Sequence, residues 1–179
     1  VIDEAFDMWR YGHYQYDYAQ YFDKLWKEDL HSMVARDRNH PSVIMWSIGN
    51  EIKNKETAEI VDICRELTGF VTLDTTRPVT AGVNSIVDAT DDFLAPLDVC
   101  GYNYCLNRYE SDAKRHPDRI IYASESYASQ AYDYWKGVED HSWVIGDFIW
   151  TAFDYIGEAS VGIRLINVFS LGIMPIVVI

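Results

Sequence analysis

The sequence predicts an α/β fold: a parallel sheet whose strands alternate with helices, arranged as in a (β/α)8 barrel. Three observations predict it. Short, almost wholly apolar runs recur along the chain, separated by segments with helical periodicity. Nearly every run ends in polar or aromatic side chains suited to chemistry: Asp3-Glu4, Asn50-Glu51, Asn103-Tyr104, Ser124-Glu125 and Trp150. No Gly-rich phosphate loop follows the first strand, as a doubly wound nucleotide-binding sheet would require. Polar groups delivered to one face by several different strands are the barrel arrangement.

Val1-Ile2 reads as strand, followed at once by Asp3-Glu4. A helix is expected from about Tyr16 to Arg38, because Tyr18, Tyr21, Phe22, Leu25, Trp26, Leu30, Met33 and Val34 form one apolar stripe. Asn39-His40-Pro41 ends it, with His40 read as a structural cap. Ser42 to Ile48 is nearly all apolar, which suits a strand buried on both faces. A second helix is expected from Lys55 past Leu67, striped by Ile60, Ile63, Cys64 and Leu67. Further short strands are expected at 78–81, 97–102, 120–123 and 144–150. Strand–helix–strand at this spacing implies right-handed crossovers and a parallel sheet. No internal repeat or linker interrupts the pattern, so the chain reads as one domain unit.

Composition narrows the function. Of 179 residues, 49% are apolar, enough for a real core, and the net charge of −13 opposes binding to phosphate backbones or anionic lipid. Aromatics reach 15%, which suits either a Trp- and Tyr-rich core or a sugar site, where rings stack on C–H faces. Cys64, Cys100 and Cys105 are odd in number and lack metal-type spacing, so they are expected to be buried free thiols. The segment 165–179 is almost all apolar but too short for a membrane span and broken by Gly172 and Pro175.

Glu51 and Glu125 form the chemical core of the reading. Each follows directly on an apolar strand, where backbone geometry would aim it over the C-terminal mouth of a barrel. Two carboxyl groups facing one sugar are what glycoside hydrolysis requires: one protonates the leaving oxygen and the other attacks or stabilises the anomeric carbon. A single strand-end glutamate is usually a salt-bridge partner. Two such residues in specific contexts argue otherwise.

Those contexts carry a resemblance. The run from Arg36 through His40-Pro41-Ser42 to Gly49-Asn50-Glu51 resembles the acid/base signature of glycoside hydrolase family 2, which holds β-galactosidases, β-glucuronidases and β-mannosidases. Residues 1–7 look like that family's third barrel strand, 77–80 its fifth, 97–104 its sixth, 121–125 its seventh and 146–155 its eighth. The resemblance covers about residues 1–162, and implies an incomplete (β/α)8 TIM barrel, from the end of the third strand through the eighth, followed by an atypical hydrophobic tail at 163–179.

It further implies roles. Glu51 would be the acid/base and Glu125 the nucleophile. Asn50 would hydrogen-bond the sugar 2-hydroxyl, and Tyr104 would tune the nucleophile through its phenol. Trp150 would wall the sugar subsite. Asn103 would stand behind the sugar-contacting groups, and Glu4 would bind sugar or hold the floor of the site. Large bacterial β-galactosidases of the family bind magnesium just after the third strand. Here Met8 and Arg10 occupy the matching positions and neither suits a hard cation, so no metal and no cofactor are expected. The partner expected is a β-glycoside, with no nucleic acid and no membrane.

Thr151-Ala-Phe-Asp-Tyr155 looks more like the β-galactosidase members. The Asn-x-Lys with which β-glucuronidases grip the sugar carboxylate is replaced by Asn167-Val168-Phe169. The reading is therefore a retaining β-galactosidase, with β-glucuronidase, β-mannosidase and a non-catalytic carbohydrate-binding barrel as alternatives. A full barrel takes about 250 residues. The isolated 179-residue chain is expected to be inactive and poorly soluble, since an open barrel leaves sheet edges unpaired.

Overall fold

The computed structural model describes residues 1–71 and 73–151. Six strands and five α-helices alternate among the described residues. The strands are β1 (Ile2–Glu4), β2 (Met45–Asn50), β3 (Val79–Val83), β4 (Cys100–Asn103), β5 (Ile121–Ser126) and β6 (Val144–Ile149). The helices are α1 (Phe22–Asp37), α2 (Ala58–Val71), α3 (Asp91–Leu94), α4 (Tyr109–Arg115) and α5 (Ala131–Asp140). This is the strand–helix alternation of a (β/α) barrel, with six strands described where a closed barrel has eight. The chain divides into two compact units, Val1–Gly101 and Tyr102–Ile179.

In the first unit β1, β2 and β3 run parallel. Asp3 pairs with Trp46, Glu4 with Ser47, Ser47 with Thr80 and Asn50 with Gly82. The register slips between Ser47 and Asn50, immediately before Glu51. Such irregularities re-aim side chains where a strand ends. All five residues of β3 are buried, as are all but the last of β2, the two-sided burial of a sheet covered by helices. From α1, Phe22, Trp26, Leu30, Met33 and Val34 are buried, and from α2, Ile60, Val61, Cys64, Leu67 and Val71.

The first helix starts later than its periodicity predicts. The chain forms a 3-10 turn at Tyr18–Gln20 before α1 begins at Phe22. The cause is Asp17, whose carboxylate accepts from the backbone N–H groups of Ala19 at 3.0 Å and Tyr14 at 2.9 Å. A short acceptor side chain placed there favours a turn over a continuing helix. Tyr21 is consequently exposed and off the predicted stripe. The strand near residue 45 also runs two residues further than Ile48, through Gly49 and Asn50.

In the second unit β5 and β6 are parallel, with Ile121 opposite Val144 and Ser126 opposite Ile149. Asp112 of α4 is fully buried and anchors this unit. It accepts from Arg108 at 2.7 Å, Arg115 at 2.7 Å and the Tyr102 hydroxyl at 2.8 Å. Burial alone would raise its carboxyl, but these donors hold it below the ordinary carboxylate value. The bond to Tyr102 ties α4 to β4, two residues before Tyr104. Cys64, Cys100 and Cys105 are all buried, as expected. The tail at 163–179, and Asp154 and Tyr155, lie outside the described residues.

Candidate active site

Glu51 is placed by the end of β2. Asn50 is the strand's last residue, and Glu51 then turns into the left-handed region with φ 48°. That backbone is costly for a residue with a Cβ, on the order of 1–2 kcal/mol. It is held by Glu51 N–H donating to Gly82 O at 2.8 Å and by Asn50 N–H donating to Asp7 O at 3.3 Å. Left-handed non-glycine residues cluster where surrounding structure fixes a functional geometry.

The support beneath Glu51 is Trp9, which sequence reasoning missed. Its indole is fully buried and donates from Nε1 to Ile48 O at 2.7 Å. Gly49 packs directly over it: a Cβ there would sit 2.7 Å from Trp9 Nε1 and 3.0 Å from Ile52 Cδ1. Only glycine therefore allows the strand to lie on the indole. The loop bearing Trp9 is tied down on either side. Arg10 bridges Asp23 at 2.7 Å and Glu59 at 2.6 Å, Tyr11 donates to Glu59 at 3.0 Å, and Lys53 donates to Gly12 O at 2.5 Å. Met8 is buried, and Arg10 pairs with carboxylates on both sides.

Glu4, at the end of β1, accepts from Ser47 Oγ at 2.5 Å. Ser47 is itself buried in β2, so the hydroxyl ties the end of β1 to the middle of β2.

The second unit brings Asn103, Tyr104 and Glu125 together. Glu125 lies within β5, not beyond its end as the apolar run suggested. Tyr104 follows β4 with φ 56°, held by its N–H donating to Glu125 O at 2.8 Å. Its hydroxyl donates to Glu125 Oε2 at 2.7 Å, so backbone and side chain of one residue both engage the same glutamate. A phenol hydrogen bond to a carboxylate favours the ionised form. Asn103 is buried, and its Oδ1 accepts at 2.5 Å from the Oγ of Ser124, the residue before Glu125. Trp150 follows β6, is 60% exposed, and is anchored by its N–H to Ser126 O at 3.0 Å.

Glu51 in the first unit and Tyr104 in the second take the left-handed region directly after a strand, and each unit carries one of the two glutamates. The first holds Glu4, Asn50 and Glu51, the second Asn103, Tyr104, Glu125 and Trp150. No pattern in the sequence marks Trp9 and Ser47 as supports, because each acts across long stretches of chain.

Comparison with known proteins matches residues 7–158 to glycosyl hydrolases family 2, TIM barrel domain. The chain is 32% identical to a β-galactosidase, BoGH2A, of Bacteroides ovatus, over 88% of this chain and 28% of that protein. It is 28% identical to a putative β-glucuronidase of Formosa agariphila, over 89% of this chain and 20% of that protein. A crystal structure of a glycosyl hydrolase family 2 member from Bacteroides cellulosilyticus superposes with a TM-score of 0.87 at 99% identity, over 90% of this chain and 21% of that one. The chain therefore spans less than a third of the length of these relatives. It belongs to glycoside hydrolase family 2 and lies within that family's TIM-barrel domain.

Proposed function

We propose that the complete polypeptide in which this segment operates is a retaining β-glycosidase acting on terminal β-galactosides. The observation that carries this reading is the Tyr104 hydroxyl on Glu125 at 2.7 Å, in a family 2 chain whose Glu51 also sits at a locked, left-handed strand end. Residues 1–162 carry the family's sequence pattern, and 163–179 stand apart from it.

In this mechanism Glu51 gives a proton to the glycosidic oxygen, while Glu125, which accepts the Tyr104 hydroxyl, attacks the anomeric carbon from the other face. The C–O bond to the aglycone breaks and a bond from Glu125 to the sugar forms. Glu51, now a carboxylate, takes a proton from water as that water displaces Glu125 and restores the configuration. The two carboxyl groups work about 5–5.5 Å apart in such enzymes. Asn50 holds the 2-hydroxyl, and Trp150 offers its exposed ring to the sugar face.

Galactosides are favoured by the relationship to the Bacteroides ovatus β-galactosidase. A uronide substrate is the second reading, favoured by the likeness to the putative β-glucuronidase of Formosa agariphila. A 2-deoxy-2-fluoro β-galactoside with an activated leaving group tests the assignment. It should label the complete enzyme stoichiometrically, with the label on the peptide containing Glu125. Labelling elsewhere, or none in an enzyme that turns over, overturns it. A fluorinated glucuronide that labels Glu125 much faster would keep the mechanism and replace the substrate.

A further inference from the structure

We propose that Tyr127 is a positioning residue for the nucleophilic carboxyl, acting through Tyr104; this rests on Glu125 being the nucleophile. The rings of Tyr104 and Tyr127 are stacked, with centroids 4.3 Å apart and planes inclined by 26°. The two rings are thus in close face contact, the kind of pair that adds to plain area burial. Tyr104 meanwhile reaches Glu125 Oε2 with its hydroxyl at 2.7 Å. A phenol on a rotatable Cα–Cβ bond can swing away from its acceptor. Here one face of the ring is backed by Tyr127, which limits that swing.

Tyr127 is itself fixed. It lies just beyond β5, two residues after Glu125, and its carbonyl accepts from Gln130 N–H at 2.8 Å in the 3-10 turn Ala128–Gln130. The same short segment thus supplies the nucleophile and the platform for the nucleophile's hydrogen-bond donor. Displacing Glu125 moves both together. With 52% of its surface exposed, Tyr127 can be truncated without opening the core. What Tyr104 needs from it is the ring face, so phenylalanine should serve as well.

The test is the pH dependence of kcat/KM in the complete enzyme for Tyr127→Ala, Tyr127→Phe and both changes in a Tyr104→Phe background. Losing the stack should lower kcat/KM by about three- to tenfold, the size of one aromatic pair. It should also move the acidic limb to higher pH, because a carboxylate with a poorer donor is protonated more easily. Tyr127→Phe should behave as wild type, and Tyr127→Ala should add nothing once Tyr104 lacks its hydroxyl. An unmoved acidic limb in Tyr127→Ala, or an equal loss in Tyr127→Phe, overturns the inference. Glu125→Gln separates it from the reading beneath it: an active Glu125→Gln enzyme refutes the nucleophile, whereas an inactive one with a silent Tyr127→Ala refutes the platform alone.

Discussion

Gly49→Ala is the sharpest perturbation available at the candidate site. The added methyl carbon would lie 2.7 Å from Trp9 Nε1, 3.0 Å from Ile52 Cδ1 and 3.2 Å from Trp9 Cε2. None of these atoms belongs to a free-swinging side chain: Trp9 is fully buried and Ile52 is 3% exposed. Either the indole retreats, losing its 2.7 Å bond to Ile48 O, or the end of β2 lifts. Overpacking of this kind costs about 1–3 kcal/mol, and a buried indole N–H left unsatisfied about 1–3 more. A loss of about 2–6 kcal/mol is therefore expected, read as a lower denaturant midpoint of the barrel transition. The functional signature is more specific. Lifting β2 moves Asn50 and Glu51, and about 1 Å of misplacement can cost on the order of 10²-fold in rate. An acid that protonates the leaving group matters most when that group is poor. Hydrolysis of an unactivated alkyl β-glycoside should thus fall far more than that of a dinitrophenyl glycoside. Wild-type stability together with an unchanged leaving-group dependence would refute the account of Gly49 as the seat of the acid/base strand.

Gly69 provides the opposite case. It is exposed in α2 and a Cβ there meets nothing within 4 Å. Gly69→Ala should stabilise the barrel transition by about 0.5–1 kcal/mol without altering kcat, as thermal melting would read. Asp74 predicts a pH dependence. Burial would raise its carboxyl, but Thr76, Arg77 and Trp46 hold it at about 2 against an ordinary 3.8. Such a carboxylate contributes stability above its unfolded value and loses it as the pH falls through the folded one. The stability difference between wild type and Asp74→Asn should be about 2 kcal/mol at neutral pH and shrink between about pH 4 and 2. Urea titrations at several pH values would measure it, and a difference independent of pH would count against the assignment.

Much of this molecule is written in local pattern. Apolar runs, helical stripes and the residues closing each run are properties of neighbours in sequence, which is why the alternation of strands and helices, the burial of the three cysteines and the prominence of Glu51 and Glu125 were legible without coordinates. Even there, boundaries moved where side chains compete with backbone. Asp17 accepts two backbone N–H groups and delays α1 to Phe22, although the apolar stripe runs back to Tyr18.

The tertiary structure decided what holds those residues in working geometry. Trp9 meets Ile48 across 39 residues, Ser47 meets Glu4 across 43, and Tyr104 meets Glu125 across 21. No periodicity encodes such contacts, because each depends on which strands lie side by side and where their registers slip. The positive φ of Glu51 and Tyr104 has the same origin. Local preference opposes that conformation for both residues, and hydrogen bonds from distant strands impose it. The sequence alone thus singled out Glu51 and Glu125 against their apolar strands, and the packing of distant segments determined the backbone and hydrogen bonds that hold them.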